Sequence, residues 1–255
     1  MGKFAISAIG ALALFILAGC DDPAMMAAGP AAQVAPAHYD AVPDSGMTVP
    51  AVPVAEMPAD MLQQQVTYAS DQPVGTIIID PSTKHLYLIT ARNRALRYGI
   101  AVGRTGFGWS GEADIVGRTT WPRWIPPYEM IARRPELEKF RDVGQPGGLT
   151  NPLGARALYL RTNGVDYGYR IHGTPEWDSI GHNASSGCIR MINQDVMDLY
   201  NRVPDGTYVI VLTEDGQFPD RLSVPKPGPK ARKPKAEPTP VTAPVEPAIA
   251  ASGRV

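Results

Sequence analysis

Between Gly75 and Leu212 the chain keeps offering short runs of β-branched and aromatic residues, each cut off by turn formers, and this rhythm does not suit a helical fold. Gly75-Thr-Ile-Ile-Ile-Asp80 and His85-Leu-Tyr-Leu-Ile-Thr90 flank Pro81-Ser-Thr-Lys84, which predicts a hairpin. Leu96–Gly103 alternates as a third strand. Ala157–Leu160, Tyr167–His172 and Gly206–Leu212 read as further strands. The Arg104–Trp109 stretch and the Trp121–Pro127 stretch, with its tandem prolines, read as irregular loop. Helices are expected at Pro127–Phe140 and at Asn193–Val203. In the second, Val196, Leu199, Tyr200 and Val203 share a face, Asn193 serves as N-cap and Pro204 follows the end. The expected fold class is a mainly β domain with short helices, spanning residues 73–213.

The flanks read differently. Lys3 precedes the apolar run Phe4–Leu17, which is too short for a ~30 Å hydrocarbon core but suits the h-region of a secretory signal. It ends in Leu17-Ala18-Gly19-Cys20, which resembles the lipobox of bacterial lipoproteins. The resemblance implies cleavage before Cys20 and a diacylglycerol on its thiol, with residues 1–19 as signal peptide. An uncleaved anchor helix is the competing reading. Asp21 and Asp22 resemble an inner-membrane retention signal, which places the chain on the periplasmic face of that membrane. Residues 20–72 are rich in Ala, Pro, Val and Met without a sustained period, and read as an unordered tether. The 48 residues from Asp21 to Tyr68 would span about 40 Å as a coil and about 150 Å extended. Residues 214–255 read as a Pro-, Lys- and Ala-rich disordered tail. Its cluster of Lys226, Lys230, Arg232, Lys233 and Lys235 is either a solvated tail or a contact for anionic polymer or headgroups. A net charge of −1 gives no field directed at nucleic acid.

Two cysteines are present, Cys20 and Cys188. Lipid on Cys20 would leave Cys188 as a lone thiol in a disulfide-permissive compartment, where an odd cysteine points to reactivity or intermolecular pairing. A buried cysteine acting as a small hydrophobe is the bland alternative. The surroundings favour chemistry. His172 ends a strand and is followed by Gly173. Cys188 lies 16 residues on, behind the small residues Ser185, Ser186 and Gly187. An imidazole can take the thiol proton, and small residues let backbone N–H groups approach a developing oxyanion. A helix start close behind Cys188 would favour negative charge there.

His172-Gly173 followed by Ser185-Ser186-Gly187-Cys188-Ile189-Arg190 resembles the signature of the L,D-transpeptidase catalytic domain, the YkuD family. The Trp121–Pro127 loop, Asn151-Pro152-Leu153-Gly154 and Ile180-Gly181 add to the resemblance. It implies that Cys188 attacks the carbonyl between the third residue of a peptidoglycan stem peptide and its terminal D-Ala. It also implies that His172 shuttles the proton, its ring held by a backbone carbonyl near Gly173, and that backbone N–H groups at Ser186–Cys188 form the oxyanion hole. The thioester would then pass to a diaminopimelate amine, giving a 3–3 cross-link, to a lysine of an envelope protein, or to water, trimming D-Ala. Many members have His where Ser186 stands. The family's base corresponds to His172, so the Ser variant should retain activity. Arg190 either positions the loop, binds a substrate carboxylate or makes a structural salt bridge.

No cofactor is expected. Zinc bound by His172, His182 and Cys188 would suit N/S ligation, but no recognised zinc spacing is present. His182 reads as an exposed loop residue, and His85 and His38 as residues without partners. Trp109, Trp121 and Trp124 line a groove or pack as core. A non-catalytic peptidoglycan-binding module and a metal-dependent amidase are the rival functions.

Overall fold

The computed structural model describes residues 36–105 and 108–224. The signal segment, Cys20 and the basic cluster of the tail lie outside the described residues. In chain order the strands are β1 Val42–Asp44, β2 Met47–Val49, β3 Gln64–Thr67, β4 Ile77–Asp80, β5 His85–Ala91, β6 Arg94–Gly103, β7 Gly111–Thr120, β8 Arg156–Arg161, β9 Arg170–Thr174, β10 Asn183–Ser185, β11 Ile189–Ile192 and β12 Tyr208–Val211. Among the described residues two α-helices accompany them, α1 Tyr128–Arg133 and α2 Asn193–Arg202. The mainly β expectation holds.

Strands β6, β11, β9, β8, β7, β12, β4 and β5 pair in that order, and β5 pairs back onto β6, so the ladder closes on itself. The long β6 makes closure possible by changing partners along its length. Its first half lies between β3 and β5, and its second half meets β11 and β10. The run Ile77-Ile78-Ile79 shows what this demands of sequence. All three side chains are fully buried, Ile77 and Ile79 in the main core and Ile78 in a second cluster with Ile89, Ala95 and Ile210. A strand covered on both faces reads as continuous apolar residues.

The unordered tether expected over 20–72 is corrected from residue 36 onward. Tyr39, Val49 and Met61 are buried, β1 and β2 form a hairpin, and β3 joins β6. Gln194 Nε2 of α2 donates to the carbonyls of Pro50 at 2.9 Å and Asp40 at 3.2 Å. The Arg156 guanidinium grips Asp44 with two bonds of 2.8 Å. A segment laid along a finished surface needs no period of its own, so composition alone misread it. At the other end packing continues past the expected boundary at 213. Leu222 and Val224 pack on the main core, and Ser110 and Ser223 exchange backbone bonds of 2.9 and 2.8 Å.

Two helix expectations also shift. The helix expected over 127–140 stops at Arg133, and a 3-10 stretch covers Pro135–Phe140. Pro135 pushes Arg134 out of the helical region, to φ −136° and ψ 78°. Ile192, not Asn193, is the N-cap of α2, and no side chain caps it.

The Asp44–Arg156 pair tests the docking of the N-terminal segment. Hydrogen bonds from Arg156 hold the Asp44 carboxyl below its usual range. A lowered folded value means stability present above the unfolded value of about 4, and lost as pH falls through the folded one. Asp44→Ala is expected to cost about 3 kcal/mol in urea unfolding at neutral pH. Its deficit against the wild type should shrink in acid. An unchanged unfolding midpoint would mean the hairpin is not docked.

Candidate functional site

Parallel pairing of β9 and β11 assembles the site. Ile189 lies opposite Ile171 and Arg190 opposite His172. Cys188 immediately precedes β11 and so sits beside Arg170. The expected helix start behind Cys188 is corrected: a strand follows, and α2 begins only at Asn193. The helix dipole, which fades within a turn, does not reach the sulfur.

His172 is buried, with 4% of its surface exposed. Its Nδ1 lies 2.6 Å from the Gly173 carbonyl oxygen. A carbonyl only accepts, so Nδ1 carries the proton and donates, leaving Nε2 with a free lone pair. Residue 173 must be glycine for this. A Cβ there would overlap Asn193 Oδ1 and lie 3.1 Å from Val196 Cγ1. Asn193 Oδ1 itself accepts the Ala155 N–H at 2.9 Å, so the residue expected to cap α2 instead packs beside Gly173, whose carbonyl orients the imidazole. Burial pulls His172 down to about 4. The bond to Gly173 opposes this, and the Arg190 and Arg170 charges add to it.

Cys188 is half-buried, and its Sγ lies 3.7 Å from the Gly168 carbonyl oxygen, to which the thiol donates. Among the described residues no hydrogen bond joins Sγ to the imidazole. Burial pushes the thiol above its ordinary value, and Asp166 adds to this. The Arg170 backbone N–H and the Arg170 and Arg190 guanidiniums pull the other way but do not prevail. With the imidazole pulled down and the thiol pushed up, the proton belongs on sulfur. The resting pair is neutral. The arrangement suits a base that takes the proton as the sulfur attacks, rather than a preformed ion pair.

The loop before Cys188 is braced by Ser185. Its Oγ donates to the Cys188 carbonyl at 2.5 Å and accepts the Gly187 N–H at 3.1 Å. Gly187 has φ +114°, a conformation that a side chain would strain. Of the amides expected to form the oxyanion hole, that of Gly187 is therefore already engaged. Ser186 is exposed, so a serine at this position leaves no buried polar group behind. Arg190 Nη1 bonds Glu176 Oε2 at 2.9 Å, which favours its salt-bridge reading.

Other sequence candidates are distributed elsewhere. His182 is exposed, as expected. His38 and His85 do have partners, Asp195 Oδ1 at 2.9 Å and the Asp60 carbonyl at 3.0 Å. Among the described residues no three His, Cys, Asp or Glu side chains converge on a metal position, so His172, His182 and Cys188 are not such a trio. Trp109 is buried and stacks on Tyr169 with ring centroids 4.8 Å apart. Trp121 Nε1 donates to Asp44 at 2.7 Å. A pocket of about 620 Å³, open to solvent, reaches Gly187 and Ile189, with Lys84, Trp109, Asn183 and Glu214 in its walls. Sequence reasoning assigned no role to Asp166, Gly168 or Arg170, and gave Asn193 only that of a helix cap. For Arg170 a signal was available, since it shares a strand face with His172 two residues away.

Two measurements follow. The His172 ring carbons, followed by NMR, should titrate near pH 4; a midpoint near 6.5 would contradict the neutral pair. Gly173→Ala should displace the carbonyl and lower any His172-dependent turnover about a hundredfold, the scale of a 1 Å misplacement. Unchanged turnover would contradict this requirement for glycine.

Comparison with known proteins identifies the family of the domain. The family model of the YkuD L,D-transpeptidase catalytic domain matches residues 75–211. A putative L,D-transpeptidase of Bacillus subtilis, YqjB, is 30% identical over 143 residues, 56% of this chain and 73% of that protein. The probable L,D-transpeptidase YbiS of Escherichia coli is 28% identical over 163 residues, covering 60% of this chain and 49% of YbiS. The chain thus spans about half the length of several curated relatives it matches. A crystal structure described as a probable carnitine operon oxidoreductase from Brucella melitensis is 49% identical, covering 62% of this chain and 97% of that one, with a TM-score of 0.43. That description concerns that protein, and the assignment here rests on the family model. With more than half of its length matched, and with the Cys188 and His172 strands paired as described, the chain belongs to the L,D-transpeptidase catalytic domain family.

Proposed function

We propose that this protein is a cysteine-dependent L,D-transpeptidase acting on peptidoglycan stem peptides. The observation that carries the reading is the bare Nε2 of a neutral His172 on the strand paired with the one that Cys188 precedes. Cys188 Sγ attacks the carbonyl carbon of the bond to the terminal D-Ala. The S–H bond breaks, Nε2 takes the proton, and the same proton passes to the departing D-Ala amine. A thioester remains on Cys188. An acceptor amine, from a diaminopimelate side chain or from a lysine of an envelope protein, then displaces the thiol. With the Gly187 N–H held by Ser185, the neighbouring amides of Ser186 and Cys188 are the proposed oxyanion donors. Arg190 supports the loop through Glu176 rather than touching substrate.

We also propose a lipid anchor on Cys20 at the periplasmic face of the inner membrane, supported by the lipobox-like sequence. If so, packing from residue 36 shortens the tether to the 15 residues 21–35, a reach of at most about 50 Å extended rather than 150 Å. The reactive site would then work close to the membrane.

Removal of the sulfur tests the function. Purified Cys188→Ala should release no D-Ala from a tetrapeptide stem yet unfold at the wild-type temperature. His172→Gln should slow release by a factor of about 10² to 10⁴, the usual worth of a general base. Undiminished release by Cys188→Ala, together with unchanged muropeptides in a strain carrying it, would sink the proposal.

A further inference from the structure

We propose that Asp166 and Arg170 are positioning residues for Cys188: their ion pair fixes the 166–170 turn so that the Gly168 carbonyl and the Arg170 guanidinium both bear on Sγ. This rests on the reading of Cys188 as nucleophile. The pair is bidentate, Nη1 to Asp166 Oδ1 at 2.8 Å and Nη2 to Oδ2 at 2.9 Å. The same Oδ1 accepts the Gly168 N–H at 2.8 Å, so one carboxylate orients the peptide whose carbonyl receives the thiol. Arg170 is held from two further sides. Nη1 donates to the Tyr169 carbonyl at 2.7 Å, and the guanidinium lies 4.6 Å from the centre of the Tyr159 ring, directly across the β8–β9 ladder.

Exposed ion pairs contribute little to stability, and Asp166 is 45% exposed. What this pair supplies is geometry and charge at the sulfur. Burial pushes the Asp166 carboxyl up, but its bonds from Arg170 and Gly168 outweigh that and keep it below the usual range. The charged groups that act on the sulfur are Arg170, Arg190 and Asp166, and Tyr169 feels its charge; His172 shares the strand of Arg170, and Glu176 pairs with Arg190. The Tyr169 phenol is pushed up to about 12, first by burial and then by the charge on Cys188. Asp166 disfavours the thiolate while Arg170 and Arg190 favour it, so the two members of the clamp should act with opposite sign.

The test is the pH dependence of iodoacetamide alkylation in the full chain, followed by mass spectrometry on the peptide carrying Cys188. Arg170→Gln should raise the midpoint by about one pH unit, making alkylation about tenfold slower at a fixed pH below it. Asp166→Asn should lower the midpoint, because Tyr159 and the Tyr169 carbonyl still hold the guanidinium. Arg170→Lys keeps the charge but loses the fork. It should restore the midpoint while lowering kcat at an unchanged KM. Midpoints that stay at the wild-type value in folded protein, or that move in the same direction in both charge variants, overturn the clamp. Should Arg170→Gln fail to fold, the shift in Asp166→Asn decides alone. Cys188→Ala separates the two claims. If it still releases D-Ala while the midpoints shift as stated, the proposed function fails and the clamp stands. If it is inert while the midpoints do not move, the clamp fails and the function stands.

Discussion

The register between β9 and β11 is the constraint from which the site follows. Arg190 opposite His172 places Cys188 one step before the pair, beside Arg170, and puts the imidazole, the sulfur and two guanidiniums in one neighbourhood. Parallel neighbours cannot be joined by a tight turn. The connection here is the polar segment 175–188, which folds through a short 3-10 turn and β10 before delivering the cysteine. A slip of one residue would turn His172 and Arg190 toward the core and Ile171 and Ile189 outward. Burial of both isoleucines in the main core makes that slip costly and so fixes the geometry of the candidate site from behind.

The wider fold serves this register. Closure through β6 leaves few free edges and ties β11 into a ladder that also carries the Ile77–Ile79 strand. The N-terminal segment packs over the outer face, with Met61 and Tyr39 against Ile192, Ile180 and Ala101. Several of its polar contacts end on α2, whose first residue, Asn193, packs its side chain against Gly173. Stability at the outer surface and orientation of the imidazole therefore share one helix.

Much of this was legible in the sequence, for definite reasons. The isoleucine run, the 85–90 strand and the 193–203 helix announce themselves by period and by turn residues. The Cys188 loop announces itself by small residues and by the upstream histidine. Strand β7 was not legible. Its inward positions Ala113 and Ile115 alternate, yet the outward ones are Glu, Asp and Val, and glycines stand at both 111 and 117. Strands β10 and β11 are three and four residues long and are specified by their neighbours rather than by their own propensity. The N-terminal segment was misread because proline-rich sequence shows no period even when it is packed. The roles of Asn193 and Asp166 depend on contacts 38 residues away and on a turn closing beside the sulfur, which no local pattern encodes.

The electrostatics distinguish this site from one built around a standing ion pair. A buried imidazole near 4 and a thiol pushed upward keep the proton on sulfur, where the proposed function needs it until a substrate carbonyl arrives. Reactivity then depends on how well His172 and Cys188 are placed, more than on a pool of thiolate. The most direct test is rapid-quench mass spectrometry of the full chain mixed with a tetrapeptide stem donor. The account requires a transient adduct on the Cys188 peptide equal in mass to the donor less D-Ala, formed before any transfer product. Transfer product that accumulates with no adduct on Cys188 at any time would contradict it.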